Sequence, residues 1–310
     1  MPLRIHSPAV RYFDAVRRAK SIREAARQLN VASSAVNRQI IKLEEEIGAP
    51  LFDRLQSGLV LTPVGEALAR HVISVLQDLD RTGSDIADLQ DARAGHITVA
   101  VVESVAASIL PDVIDRVRAK APRMTFTIAV MGSFDIPHAI AEGEADVGVA
   151  FALRKTSELH QVFVSQFRLG AVAKPNHPLA KKKSVTLPSC LGYPLILATP
   201  DLSITNLLEP VLSGGPSYLS PVITCGSVEL MQELVIRGHG IAFQTRVGLE
   251  RKLDDGSLVH VPIDANGPLW SDLGIYTRAG RLLPTSTDNF VQMLKADIEK
   301  RQKAEAGRKR

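Results

Sequence analysis

The stretch SIREAARQLNVASSAVNRQIIKLEEEIG, residues 21–48, carries two apolar helical stripes with only Asn30, Val31 and Ala32 between them. Ile22, Ala25, Ala26 and Leu29 make the first stripe, and Val36, Ile40, Leu43 and Ile47 make the second. So short a turn forces the helices to cross rather than run antiparallel, and small Ala25 and Ala26 let them approach closely. Ser33 or Ser34 is expected to cap the second helix, and Gly48 followed by Pro50 is expected to end it. Such a unit is a helix-turn-helix, whose second helix can enter the DNA major groove.

With the second stripe turned inward, the opposite arc shows Ser34, Asn37, Arg38 and Lys42, with Ser33 at its start. Arginine can bind guanine and asparagine adenine through paired hydrogen bonds, whereas Ser34 and Lys42 suit phosphates. Ile41 is apolar yet lies off the buried stripe, and the sequence gives it no role. Charge supports the same face. Residues 1–62 hold ten Lys/Arg and six Asp/Glu, a net of +4, so the remaining 27 of each sign cancel. Residues 16–42 hold Arg17, Arg18, Lys20, Arg23, Arg27, Arg38 and Lys42 against the one acid Glu24, which suits a polyanion.

Three motifs then run in register: A-A-x-x-L-x-V from Ala25, A-V-N-R-Q-I-x-x-L-E from Ala35, and G-x-P-L-F-x-R from Gly48, followed by L-T-P-x-G ending at Gly65. In these the chain resembles the LysR-type transcriptional regulators. The resemblance implies an all-α winged helix-turn-helix N-terminal domain, a long linker helix, and an α/β two-lobed, periplasmic-binding-protein-like effector domain. It also implies a wing around Ser57 and Gly58, with Arg54 contacting phosphate or serving as an internal ion-pair partner. The chain departs from the family's usual residues at Ala32-Ser33, Asn37 and Ser57, on or beside the reading surface.

Thr62 and Pro63 form a helix start, with a capping hydroxyl before a proline that needs no donor. Leu68, Val72, Val75, Leu79, Thr82, Ile86 and Leu89 then recur at spacings of four and three, a coiled-coil seam. One helix cannot bury that seam alone, which agrees with the family's dimerisation helix and with two recognition helices on an interrupted inverted repeat.

Beyond Gly95, short apolar runs alternate with helical stretches in two blocks, predicting two lobes of parallel α/β structure. Residues 167–174 are expected to cross from one lobe to the other, and residues 269–276 to return. The expected organisation is a DNA-binding domain over residues 1–62 and a linker helix over 63–93, then an effector domain over 94–300. Within that domain lobe I takes about 94–166 and 269–300 and lobe II about 167–268, and residues 301–310 form a basic tail, a frayed helix end or a solvated terminus. The family's effector-domain pattern shows in Leu110-Pro111, Gly143 to Asp146, His177-Pro178-Leu179-Ala180 and Gly238 to Ala242.

Ligands in open α/β lobes sit beyond strand ends, where helix N-termini offer free N–H groups. Ser104, Ser203 and Ser227 stand at such starts, each a ligand contact or merely an N-cap. Thr199, Ser133, Phe151 and Phe243 complete the effector-binding candidates. Such a site favours a small carboxylate or other anion. Gln244-Thr245 replaces the apolar residue and proline usual in the family, which alters what the pocket accepts.

Two cysteines, Cys190 and Cys225, lack metal-cluster spacing and the number needed for a disulfide framework. The eight histidines form no H-E-x-x-H, and neither G-x-S-x-G nor C-x-x-C occurs, so catalysis, metals and cofactors are not expected. No run approaches the roughly 18 apolar residues of a membrane span, and no export signal is visible, pointing to a cytoplasmic protein. An exported solute-binding protein would carry that signal and no helix-turn-helix. A DNA-structuring protein or constitutive repressor without an effector is the alternative. The expected partners are an operator duplex, a small-molecule effector and further copies of the chain as a dimer or tetramer. The resemblance adds RNA polymerase.

Overall fold

The computed structural model describes residues 7–56, 58–89, 94–154, 156–208, 220–264 and 267–307. The chain divides into two compact units, residues 1–90 with 281–284, and residues 91–280 with 285–310.

In the first unit, α1 (Pro8–Ala19), α2 (Ile22–Leu29) and α3 (Ser33–Ile47) precede a hairpin of β1 (Phe52–Leu55) and β2 (Gly58–Leu61), then α4 (Pro63–Leu89). Ser7 caps α1 and Ser21 caps α2, each by accepting from a first-turn N–H. Lys20 and Asn30 turn the chain between helices in the left-handed region, at φ 51° and 54°. Phe13, Val16, Ala25, Ala26, Val36 and Ile40 form a core that Leu51 and Val72 close. Ala25 is fully buried, and α1 and α2 pack against each other. The antiparallel β1–β2 pair adds the expected hairpin wing to this helical unit. Its turn residue Ser57 lies outside the described residues.

Three local expectations are corrected here. Helix α3 starts at Ser33 with Ala32 in the cap position and no side-chain cap bond, so neither serine caps it and both hydroxyls face out. Ile47 is 41% exposed, because Gly48 ends the helix beyond the last core contact. Helix α1 is absent from the expectations above, although it supplies Phe13 and Val16.

Thr62 does start α4 as expected: its Oγ1 accepts from Gly65 N at 3.0 Å and donates to the Pro50 carbonyl at 2.7 Å. Along the seam, Leu68 and Val72 pack into the core of the unit, whereas Ile86 is exposed. The Leu89 side chain lies outside the described residues.

The second unit opens with β3 (Ala94–Val101), α5 (Glu103–Lys120), β4 (Arg123–Val130), α6 (Ile136–Ala141), β5 (Val147–Phe151) and β6 (Leu159–Arg168). Lobe II follows with β7 (Gly170–Ala173), α7 (Leu187–Cys190), β8 (Leu195–Ala198), α8 (Ser203–Leu208), β9 (Pro221–Cys225), α9 (Val228–Ile236), β10 (Ala242–Gln244), α10 (Glu250–Asp254) and β11 (Val259–Pro262). The chain returns to lobe I through β12 (Trp270–Arg278) and ends in α11 (Thr285–Gly307). Lobe I is a five-stranded sheet in the order β4-β3-β5-β12-β6, and lobe II holds a sheet β10-β7-β11 and a pair β8-β9.

Neither sheet that receives a crossing strand is purely parallel: the lobe I sheet is mixed and the lobe II sheet β10-β7-β11 is antiparallel. β3 runs parallel to β4 and β5, but the returning β12 is antiparallel to β5 and β6, and β7 is antiparallel to both its neighbours. The crossings lie side by side: Leu169 N donates to the Leu269 carbonyl at 2.8 Å. The motif glycines and acids have local reasons. Gly143 turns at φ 70° so that Asp146 can accept from Thr98 N at 2.7 Å, and a Cβ on Gly240 would stand 2.4 Å from the Pro194 carbonyl oxygen.

The basic tail is helical as far as Gly307 rather than a solvated terminus. Within α11, Arg301 is an internal node: its guanidinium donates to Asp297 Oδ2 at 2.6 Å, Glu250 Oε1 at 2.8 Å, Asp112 Oδ2 at 2.9 Å and the Ser108 carbonyl at 3.0 Å. Asp112 and Asp297 belong to lobe I and Glu250 to lobe II, so this arginine ties the lobes together.

Candidate DNA interface and effector cleft

Because Val36 and Ile40 are buried at one side of α3, the opposite side presents Ser33, Ser34, Arg38 and Lys42 to solvent, with Asn37 half-covered. Arg38 forms no ion pair among the described residues, and Lys42 has a single 3.8 Å contact with Glu46. Ile41 stands 44% exposed on this same face, one turn beyond Asn37 and Arg38. Arg54 in β1 is exposed and has no internal ion pair among the described residues.

The basic stretch is narrower than its composition implied. Arg17 is 7% exposed and its guanidinium donates to Asp14 at 2.8 Å, with Arg18 on the other Asp14 oxygen at 2.8 Å. Arg27 pairs with Glu24, and that exposed pair favours both charged forms. Lys20, Arg23, Arg38 and Arg54 are the exposed cations of this unit for which no ion pair is seen among the described residues.

In the second unit a cleft between the lobes has a volume of about 40 Å³. Ser104, Ser133, Phe151 and Ser203 line it together with Gln244 and Thr245. The lobes close tightly around it: a Cβ on Gly248 would lie 2.9 Å from Ser104 Cβ, and one on Gly132 would lie 2.9 Å from the Asp201 carbonyl oxygen. Ser133 is 2% exposed and its hydroxyl has no protein partner, and the buried Thr199 Oγ1 is likewise unpartnered. Beneath the floor, Gln232 Nε2 donates to Gln244 Oε1 at 3.2 Å and Gln244 Nε2 donates to the Val247 carbonyl at 3.1 Å. His260 Nε2–H donates to the Gln244 carbonyl at 3.0 Å, and burial together with nearby Arg246 pulls its pKa down to about 4, so the ring is neutral.

Two effector candidates have other places. Phe243 is 1% exposed and packs in the lobe II core, because successive β10 residues point to opposite faces and it is Gln244 that meets the cleft. Ser227 caps α9, accepting from Leu230 N at 3.2 Å, and donates its hydrogen to Glu103 at 2.8 Å. Ser104 and Ser203 are not N-caps, since each lies inside the first turn of its helix. Sequence reasoning missed Glu103. It lines the cleft from lobe I, and its second oxygen accepts from Val228 N at 2.5 Å in lobe II.

Residues 8–66 match the description "Bacterial regulatory helix-turn-helix protein, lysR family", and residues 90–299 match "LysR substrate binding domain". The chain belongs to the LysR family. This LysR-family chain is 26% identical over 291 residues to the HTH-type transcriptional regulator CbbR of Rhodospirillum rubrum, covering 94% of this chain and 96% of that one. In fold it is similar to full-length OxyR from Pseudomonas aeruginosa, with TM-score 0.70 at 18% identity, covering 96% of this chain and 95% of that one. It is also similar to full-length CbnR complexed with its target DNA, with TM-score 0.57 at 17% identity, covering 94% and 99%. The protein is a LysR-type transcriptional regulator with an N-terminal DNA-binding domain and a two-lobed effector-binding domain. No described helix is long and apolar enough to cross a membrane. The described residues hold no group of three or more His, Cys, Asp or Glu placed for a metal, and both cysteines are free thiols. Burial pushes the Cys190 pKa up to about 11.

Proposed function

We propose that a homo-oligomer of this regulator, joined through the α4 seam, reads an operator with α3. Asn37 and Arg38 read base edges, and Ser33, Ser34, Lys42 and Arg54 hold phosphates. The observation that carries this reading is the exposed face of α3, where Ser33, Ser34, Arg38 and Lys42 are open to solvent and Arg38 has no ion pair among the described residues. Arg38→Ala is expected to weaken binding to an operator duplex, selected in vitro with the full chain, by about 1–3 kcal/mol and to relax one base preference. An unchanged affinity and footprint would remove Arg38 from the reading surface.

Exposed Ile41 suits an apolar contact with a thymine methyl. Exchanging that thymine for deoxyuridine is expected to cost roughly fourfold, the worth of one buried methyl. The same exchange is expected to cost Ile41→Ala nothing. Gel-shift titration of the four protein–duplex pairs checks this, and equal losses in both proteins would rule it out.

The effector enters the cleft, held by Ser104, Ser133, Ser203 and Thr199 over Phe151, and shifts the regulator between two states for which its affinities differ. Those states change DNA geometry or contact with RNA polymerase in the cytoplasm. The unpartnered hydroxyl of Ser133 supports a ligand there. The small volume of the cleft favours a second reading, a constitutive DNA-binding protein. Thermal-shift screening of the full chain against small metabolites separates the two.

A further inference from the structure

The start of α9 faces the cleft from lobe II, and its first N–H and its capping hydroxyl both donate to one carboxylate, that of Glu103 in lobe I. This is the arrangement in which a helix N-terminus takes a carboxylate ligand, except that the carboxylate is the protein's own. We propose that Glu103 makes the cleft select a small uncharged ligand bearing hydroxyl or carboxamide groups, by occupying the seat that a carboxylate ligand would take at the start of α9. This rests on the reading of the cleft as the effector site, and it replaces the anion expected from helix N-termini alone.

Charge and hydrogen-bonding capacity lead to the same class. Among the described residues lining the cleft, Glu103 is the one ionisable side chain, with no Lys, Arg or His to offset a second negative charge. An anion there would meet a like charge and lose its hydration without a countercharge. A hydroxyl or carboxamide meets partners instead. Each Glu103 oxygen accepts one bond and keeps a second lone pair, the Ser133 hydroxyl is unpartnered, and Gln244 Oε1 keeps room for one more donor. The ligand therefore offers N–H or O–H toward Glu103 and an acceptor toward the serines.

Propionamide and propionate have one shape and differ in charge, which makes them the probes. In thermal-shift and calorimetric titrations of the full chain, propionamide is expected to bind the wild type and propionate to bind it at least tenfold more weakly. Glu103→Ala vacates the α9 seat, and propionate is expected to gain about tenfold, the difference between a repelled anion and one with charge-assisted bonds. Glu103→Gln keeps the shape and removes the charge, so it tests the same point if the alanine variant is unstable. The proposal is overturned if the wild type prefers propionate or propylammonium, if neither probe binds it, or if both variants keep the wild-type ratio. Ser203→Leu, which fills the cleft, separates the two levels. Propionamide binding that survives it rejects the cleft as the effector site, whereas binding that is lost while propionate wins in the wild type rejects only the selectivity.

Discussion

Gly65→Ala is expected to unfold the DNA-binding unit while leaving the effector domain folded. A Cβ at position 65 would lie 2.1 Å from the Leu51 carbonyl oxygen and 3.0 Å from a Leu61 methyl. The oxygen cannot retreat. It accepts from Thr62 N at 3.0 Å, its residue is fully buried, and Leu51 N is itself held by Glu44 Oε1 at 2.8 Å. Over-packing against pinned backbone costs about 3 kcal/mol or more, a large part of the stability of a domain this small. Calorimetry of the full chain should show the N-terminal transition shifted down or lost and the effector-domain transition unchanged, with operator binding abolished. Wild-type operator affinity in the variant would show that α4 does not start against Leu51 as described.

The second large effect is expected at Arg301. Its side chain is 17% exposed, and four acceptors from three elements converge on it. Removing the guanidinium in Arg301→Ala leaves Asp297, which is 6% exposed, with Arg116 at 2.9 Å as its remaining cation, and leaves Asp112 and Glu250 facing without a shared counterion. Removing one of the two cations on this mostly buried carboxylate costs about 1–3 kcal/mol. Denaturant melts should show the effector-domain midpoint lowered by that amount. Arg301→Lys should recover only part, because an ammonium cannot span the same fork of acceptors. An unchanged midpoint in the alanine variant would mean that the network contributes nothing to stability.

The helix-turn-helix was legible because its signal is local: apolar residues three and four apart specify both helices before any tertiary contact is known. What failed there was phase at the ends. Ala32 rather than a serine takes the cap position, and nothing in the pattern of Ser33-Ser34 distinguishes the two. Arg17 was counted as free charge because Asp14, its partner one turn earlier, stood outside the basic window. In lobe II, the sequence does not say which residue near Phe243 faces the cleft, and a one-residue choice separates buried Phe243 from Gln244. Glu103 was illegible for a different reason. Its partner Ser227 is 124 positions away, and no local pattern announces a contact of that length.

The strand order of lobe I also has a consequence for how the chain emerges during synthesis. β12 lies between β5 and β6, so the middle of that sheet is vacant until residues 270–278 have left the ribosome, after all of lobe II. Until then β5 and β6 have no shared neighbour and expose ladder edges that invite pairing with foreign strands. The lobe begun first is thus the one finished last, and nascent chains stopped short of Trp270 are the species that chaperones should hold longest.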